Sequence, residues 1–383
     1  MTALSSAITP PMTAPKVRFS FKNKQLKMGM NPGQEQPPRK TNGSFHTTLK
    51  DVAKLAGVST KTVSRVVNNQ GEISAETRGR VQEAIDQLGY RPNVLARSLI
   101  HQRTNTLAAV AWGIDYFGPS RTITGIELEA EDLGYSVFLI LVREPGKHNH
   151  MPILDVLLSR RVDGIIWAVP EVGENRKWLS PDVLNELPPI VFLSMHGEPG
   201  ANVVTVDNQG GGRQATNHLI ERGRKRIAII TGPMAWWEAR ERHAGWKAAL
   251  ENAGMSADET LVAESYWSSA GGERAMQQLL EREPGIDGVF ASSDQIALGA
   301  LKAIHDAGRR VPGDIAMIGF DNMPESEYFQ PALSTVRQGL GEVGRTAVRH
   351  AHQMIEARRD DRRAPGGAMT LIQPELIVRA SST

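Results

Sequence analysis

Between Thr47 and Leu99 the apolar positions recur at helical spacing in three short runs, each opened by a capping residue. Leu49, Val52, Ala53 and Leu55 supply the inward side of a first helix, with Thr48 as its cap and Asp51 in capping-box position. Gly57 ends it, and Ser59 caps a second helix with Val63, Val66 and Val67 inward, so that Thr60, Lys61, Ser64 and Arg65 point outward. Ala53 is small enough for the helices to cross closely, Gly57 permits the tight turn, and Val58 fills the corner. This is helix-turn-helix spacing. A third helix from Ser74 to Leu88, stopped by Gly89, closes the small core with Val81, Ala84, Ile85 and Leu88. Its free polar face suits duplex DNA; the plainer reading is a three-helix bundle with a solvated outer side. Tyr90-Arg91-Pro92-Asn93 ends the bundle, and Val94 to Leu99 forms one amphipathic turn, too short to be stable without a partner.

From Leu107 onward the pattern changes. Short apolar β-rich runs (LAAVAW, SVFLILV, VDGIIWAV, IVFLS) alternate with helical stretches at Ile123–Leu133, Ile153–Ser159 and Pro181–Leu187. A second series starts near Val203, with helices at Gln209–Arg222, Arg240–Ala253, Ala270–Glu281 and Gln295–Ala307 between RIAIIT, LVAE, GVFASS and IAMIGF. Such strands, nearly continuous in apolar residues and joined by crossover helices, predict parallel sheets covered on both faces. The fold class is therefore α plus α/β, with two similar lobes whose ligand-contacting groups lie beyond the carboxyl ends of the strands and face each other across a cleft. Ser293, Asp294 and Gln295 in ASSDQIALG stand just past one strand end and Asp321 in IGFDN past another, where an acceptor-only carboxylate suits paired hydroxyls.

TLKDVAKLAGVSTKTVSRVVNN, the Ser-capped third helix and YRPNVLARSL are similar, in order and spacing, to the opening of the lac repressor/galactose repressor family of bacterial regulators. The resemblance runs to the C-terminus and leaves only residues 1 to about 46 outside it. It implies a helix-turn-helix headpiece with a hinge helix, followed by a two-lobed periplasmic-binding-protein-like core. On this pattern Thr60, Lys61 and Arg65 read base edges, Ser59, Thr62 and Asn68 sit near phosphates, and Leu99, with Ala96 beside it, is the minor-groove wedge. Arg242 in AWWEARERHAGW aligns with the family arginine that holds effector hydroxyls or a carboxylate, since five fixed donors suit such acceptors. Trp267 falls where an indole lies against a sugar, its face stacking on the C–H side of a pyranose. Each residue also has a plain structural reading: Arg242 as a helix-surface ion pair, Asp321 as a cap, Trp267 as a core filler. Trp236 and Trp237 depart from the smaller polar residues common in that loop, which implies a pocket of different shape for an extended, aromatic or disaccharide ligand.

The resemblance also places a return crossing near Leu333–Val336, the helix Gly341–Ala357 in the first lobe, and a final strand LIQPELIVR in the second. The expected divisions are 1–46, a disordered basic extension; 47–91, the headpiece; 92–106, hinge helix and linker; 107–205 with 334–367, the first lobe; and 206–333 with 368–383, the second. The implied function is a ligand-responsive repressor of sugar-utilisation genes, a homodimer on a pseudo-palindromic duplex operator, released by a sugar inducer. The alternatives are a purine-like or sugar-phosphate corepressor in the same architecture, or a sugar-binding or transport protein using the cleft alone. No heptad segment trails the last strand, so a dimer is expected rather than a tetramer.

Composition sharpens this picture. At 383 residues, 40% apolar and 22% charged, the chain has an ordinary globular balance with room for two to three domains. It contains no cysteine, which removes thiolate chemistry and fits a reducing cytoplasm. No apolar run suits a signal peptide or a membrane span, so a cytoplasmic, nucleoid-associated protein without membrane contact is expected. Residues 1–46 carry seven Lys/Arg against one Glu and residues 47–106 nine Lys/Arg against five Asp/Glu, which leaves the rest acidic in a chain of net charge +2. Positive potential therefore concentrates at the DNA end. Gly339, Gly341 and Gly344 spell G-x-G-x-x-G, but the acidic residues that follow, Asp360 and Asp361, lie in a polar loop rather than at a second strand end. The pairs His148/His150 and His350/His352 are two residues apart, and the second pair points apart on a helix, so neither reads as a metal site. No catalytic motif, metal or cofactor is called for.

Overall fold

The computed structural model describes residues 47–68, 70–91, 103–146, 150–360 and 366–383, in two compact units divided after Pro92. The extension 1–46 and the wedge residues Ala96 and Leu99 lie outside the described residues.

In the first unit, α1 (Leu49–Ala56), α2 (Thr60–Val67) and α3 (Ala75–Leu88) form where the caps direct. Thr48 and Asp51 make the reciprocal capping box, Ser59 accepts from the Thr62 amide at 3.1 Å, Ser74 accepts from the Thr77 amide at 3.3 Å, and Gly57 and Gly89 close α1 and α3 with φ of 65° and 58°. Val52, Ala53, Ala56, Val63, Val66, Val81, Ala84 and Tyr90 form the core. One inward assignment is corrected: Leu55 is 46% exposed and Ala56 takes its place. On a helix, positions 52, 53 and 56 share one side, and a small residue at 56 lets the neighbouring helices approach.

The second unit holds two six-stranded sheets. The first has the order β11-β5-β4-β3-β1-β2, from β1 (Thr106–Ala111), β2 (Ser136–Leu141), β3 (Gly164–Ala168), β4 (Ile190–Leu193), β5 (Asn202–Val206) and β11 (Met369–Ile372), all parallel. The second has the order β12-β10-β9-β8-β6-β7, from β6 (Ile227–Thr231), β7 (Val262–Glu264), β8 (Gly288–Ala291), β9 (Ala316–Asp321), β10 (Ser334–Arg337) and β12 (Glu375–Ile377), with only β12 antiparallel. The central strands are buried along their length, with only Ala168 at the end of β3 half-buried, as parallel strands covered on both faces must be.

The crossovers include α4 (Phe117–Asp132), α5 (Met151–Ser159) and α6 (Pro181–Glu186) in the first lobe. The second lobe has α7 (Asn208–Glu221), α8 (Trp237–Asn252), α9 (Ser269–Arg282) and α10 (Asp294–Asp306). The late α11 (Leu340–Arg359) packs on α4 in the first lobe. Two expected assignments are corrected. Ser334–Arg337 pairs with β9 and so lies in the second sheet, whereas Met369–Ile372 pairs with β5 and lies in the first. The run read as one strand is split at Pro374, which has no N–H for a ladder. The chain therefore passes between lobes three times, after β5, β10 and β11. No helix among the described residues is long and apolar enough to cross a membrane.

Candidate functional site

On α2, Thr60, Lys61 and Arg65 are exposed along one side, and neither cation makes an ion pair with a described residue. Ser59 and Thr62 share a hydrogen bond of 2.9 Å between their hydroxyls, and Asn68 donates from Nδ2 to the Ser64 hydroxyl at 3.3 Å. The three therefore border the exposed side with oriented polar groups. A short, stiff helix with two unpaired cations four residues apart can lie in a groove and reach both bases and phosphates.

In the core, Arg242, Trp267, Ser293, Gln295, Asp321 and Trp236 all line one cavity between the lobes, with about 1050 Å³ of space including its opening to solvent. Trp236, Trp267 and Ser293 stand in loops beyond strand ends of the second lobe, Asp321 ends β9, and Arg242 and Gln295 lie on α8 and α10; Trp112, Tyr116 and Ser194 face them from the first. Arg242 sits in α8, which crosses α7 so tightly that a Cβ on Gly212 or Gly245 would strike the neighbouring backbone. That crossing buries Arg242 to 5% exposure. Its Nε donates to Asn208 Oδ1 at 2.8 Å, one terminal nitrogen to the Ser292 carbonyl at 2.6 Å and the other to Gln338 Oε1 at 3.3 Å, while its guanidinium stacks 3.9 Å over Phe320. Asn208 and Gln338 stand just past β5 and β10, so Arg242 ties together two of the three inter-lobe passages.

Asp321 adopts φ of 119°, a strained conformation for a residue with a side chain, and is held by the Gln338 amide. Burial pushes its carboxyl above the usual range, against the opposing pull of Arg242. Ser293 caps α10 through the Ile296 amide at 3.1 Å, which leaves its hydroxyl proton free to donate into the cleft. Asp294 does not face the cleft. It is fully buried, accepts from Ser326 and Thr335 at 2.6 Å each and from the Met323 amide at 2.8 Å, and ties the loop after β9 to α10.

Trp267 lies flat on Gly232, where a Cβ would collide with the indole. Its Nε1 is buried without a hydrogen-bond partner, as is Oε2 of Glu238. Burial also raises the Glu238 carboxyl pKa. The sequence reading missed Glu238 because it began that helix at Arg240, whereas α8 starts at Trp237 and turns its first-turn carboxylate inward. It missed Asn208 and Gln338 as well, although both follow strand ends as Ser293 does. Trp112, Trp236 and Trp267 form a row with centroids 4.8 and 6.2 Å apart. Beside Trp236, Glu171 joins the lobes: its carbonyl accepts from the Trp237 amide at 3.0 Å and its carboxylate from Arg240 at 2.6 Å. Within G-x-G-x-x-G, Gly344 has a structural use: together with Gly125 on α4 it lets α11 and α4 cross backbone to backbone.

A helix-turn-helix unit with a two-lobed binding core defines a ligand-responsive regulator of transcription. Residues 48–93 match the family described as bacterial regulatory proteins, lacI family, and residues 216–382 a periplasmic binding protein-like domain. The chain is 37% identical to the HTH-type transcriptional regulator CelR of Thermobifida fusca over 79% of its own length and 90% of that protein's. It is 35% identical to the HTH-type transcriptional repressor PurR of Haemophilus influenzae (strain PittEE), over 87% of this chain and 98% of that one. Among solved structures, the lac repressor dimer bound to operator and the anti-inducer ONPF superposes with a TM-score of 0.79 at 30% identity, covering 88% of this chain and 99% of that one. A CelR–cellobiose complex gives 0.64 at 33%, covering 87% and 99%. The chain belongs to the lacI family of bacterial transcriptional regulators.

Proposed function

We propose that this regulator is a repressor that binds a pseudo-palindromic duplex operator as a homodimer and leaves it when a neutral sugar of about disaccharide size fills the cleft. Thr60, Lys61 and Arg65 read base edges, Ser59, Thr62 and Asn68 contact phosphates, and Leu99 of each chain, beside Ala96, enters the central minor groove. Arg242, Asp321, Ser293 and Gln295 count hydroxyls while Trp267 and Trp236 stack on the ring faces. The protein works in the cytoplasm.

The observation that carries this reading is the charge inside the cleft. Arg242 is the only cation among the described lining residues, and three of its five N–H groups already donate to protein acceptors, while Glu238 and Asp321 also face inward. A phosphate meets a single cation already committed to protein acceptors and two inward carboxyl groups; hydroxyls find the two remaining Arg242 N–H groups, acceptors, a free Ser293 proton and aromatic faces. CelR, a relative solved as a complex with cellobiose, supplies a precedent for a disaccharide ligand. A ligand that reorders Arg242 acts on the inter-lobe passages at Asn208 and Gln338, and a coupling of about 1–3 kcal/mol changes operator affinity roughly 5- to 150-fold.

The test begins with selection of duplexes from a random pool by the purified protein, followed by affinity measurement on the selected sequence with cellobiose and with hypoxanthine. Release by cellobiose supports the proposal. Tightening by hypoxanthine, with cellobiose inert, replaces the inducer with a purine corepressor.

A further inference from the structure

A second cavity, with about 850 Å³ of space including its opening, adjoins the first. The two share Tyr116, Phe117, Trp267 and Gln295 as walls. Resting on the sugar reading of the inner chamber, we propose that the outer chamber is a subsite for a further pyranose ring, so that the cleft takes a linear neutral oligosaccharide of three or more rings.

Three features of the outer chamber point this way. Its walls include both ends of an aromatic row, Trp267 at one end and, at the other, Tyr116, which stacks on Trp112 at 5.2 Å and 20°. Tyr116 is 42% exposed, so its face is available to the C–H side of a sugar rather than consumed in the core. Next, the chamber carries charges of both signs, Asp115, Arg121 and Glu325, none in an ion pair with a described residue. Acceptors and a donor fork lining one chamber match the alternating hydroxyls of an uncharged polyol better than any single ionic group. Gln295 adds an oriented amide: Ser269 donates to its Oε1 at 3.2 Å, which leaves the Nε2 protons for the ligand. Finally, Asp115, Tyr116 and Arg121 belong to the first lobe and Ser268 and Glu325 to the second, so a ring in this chamber touches both lobes. The added ring therefore contributes directly to holding them together.

The experiment is titration calorimetry of the full chain with cellobiose and cellotriose, with maltose and maltotriose in parallel for the other linkage, on the wild type and on Arg121→Ala/Glu325→Gln. The trisaccharide of the accepted linkage should bind about tenfold tighter than its disaccharide. The double variant should erase that advantage and leave disaccharide affinity unchanged. Equal binding of the two lengths by the wild type, or an advantage that survives the double variant, overturns the subsite while the inner-chamber reading stands. Failure of all four sugars to bind overturns the inner-chamber reading and the subsite with it.

Discussion

On α2, Lys61 and Arg65 stand in solvent without an ion pair to any described residue, whereas in the cleft Arg242 is buried with acceptors on all three nitrogens. The contrast separates two ways of using a cation. An exposed, flexible side chain keeps its water until a phosphate or base edge replaces it, so its contribution falls as salt rises. A buried guanidinium is desolvated as the protein folds and is already fixed when ligand arrives, so it sets orientation and transmits strain. Substitutions in the two regions should therefore fail differently.

Removing Arg242 should have the largest effect. Arg242→Ala leaves Asn208, Gln338 and the Asp321 carboxylate uncompensated in a buried site, and loss of one partner of such a network costs about 3–5 kcal/mol. Denaturant unfolding of the core should show that loss, with amide exchange in α1–α3 unchanged; a core as stable as the wild type would mean that Arg242 organises little.

Trp267→Ala comes next. It should cost about 2–4 kcal/mol in sugar affinity, in the range of aromatic anchors, with little change in operator binding without ligand. Unchanged calorimetric affinity would take the indole out of the site.

On the other side of the comparison, Arg65→Ala should cost about 1–3 kcal/mol on the selected operator, relax discrimination at one base pair, and leave the thermal stability of the core untouched. A uniform loss on all sequences would make Arg65 a phosphate contact instead.

The smallest effect is a pH slope. Burial raises both Asp294 and Asp321. A carboxyl raised on folding binds its proton more tightly in the folded core, so its stabilising contribution is full below the ordinary aspartate value near 3.8 and is lost as pH rises through the raised one. Core stability should decline from mildly acidic to mildly alkaline pH, and Asp321→Asn should flatten the slope; a rise with pH that this variant leaves unchanged would contradict the assignment.

The headpiece was legible almost residue by residue because its signals are local: caps, glycine stops and apolar spacing all lie within a few residues of what they control. Leu55 alone was misplaced, since a stripe through 49, 52 and 55 and one through 52, 53 and 56 are both helical, and only packing chooses between them. In the core the alternation of strands and helices was legible, but the partners of β10 and β11 are set by long-range pairing that no local run encodes. The six cleft residues were found because they follow strand ends or fit a family pattern. Glu238 was not, because moving a helix start by three residues changes which side chain faces inward, and Asn208 and Gln338 matter through Arg242 rather than through any motif of their own.

The most direct test of the central claim, that a neutral sugar occupies the cleft, is thermal unfolding of the purified protein with cellobiose, maltose, their phosphates and purines, repeated on Trp267→Ala. A ligand at 100 times its dissociation constant adds about 2.7 kcal/mol to stability. The account predicts a raised unfolding temperature with a neutral disaccharide that vanishes in the variant. A rise with purines or sugar phosphates alone, or a disaccharide effect that survives the loss of Trp267, would contradict it.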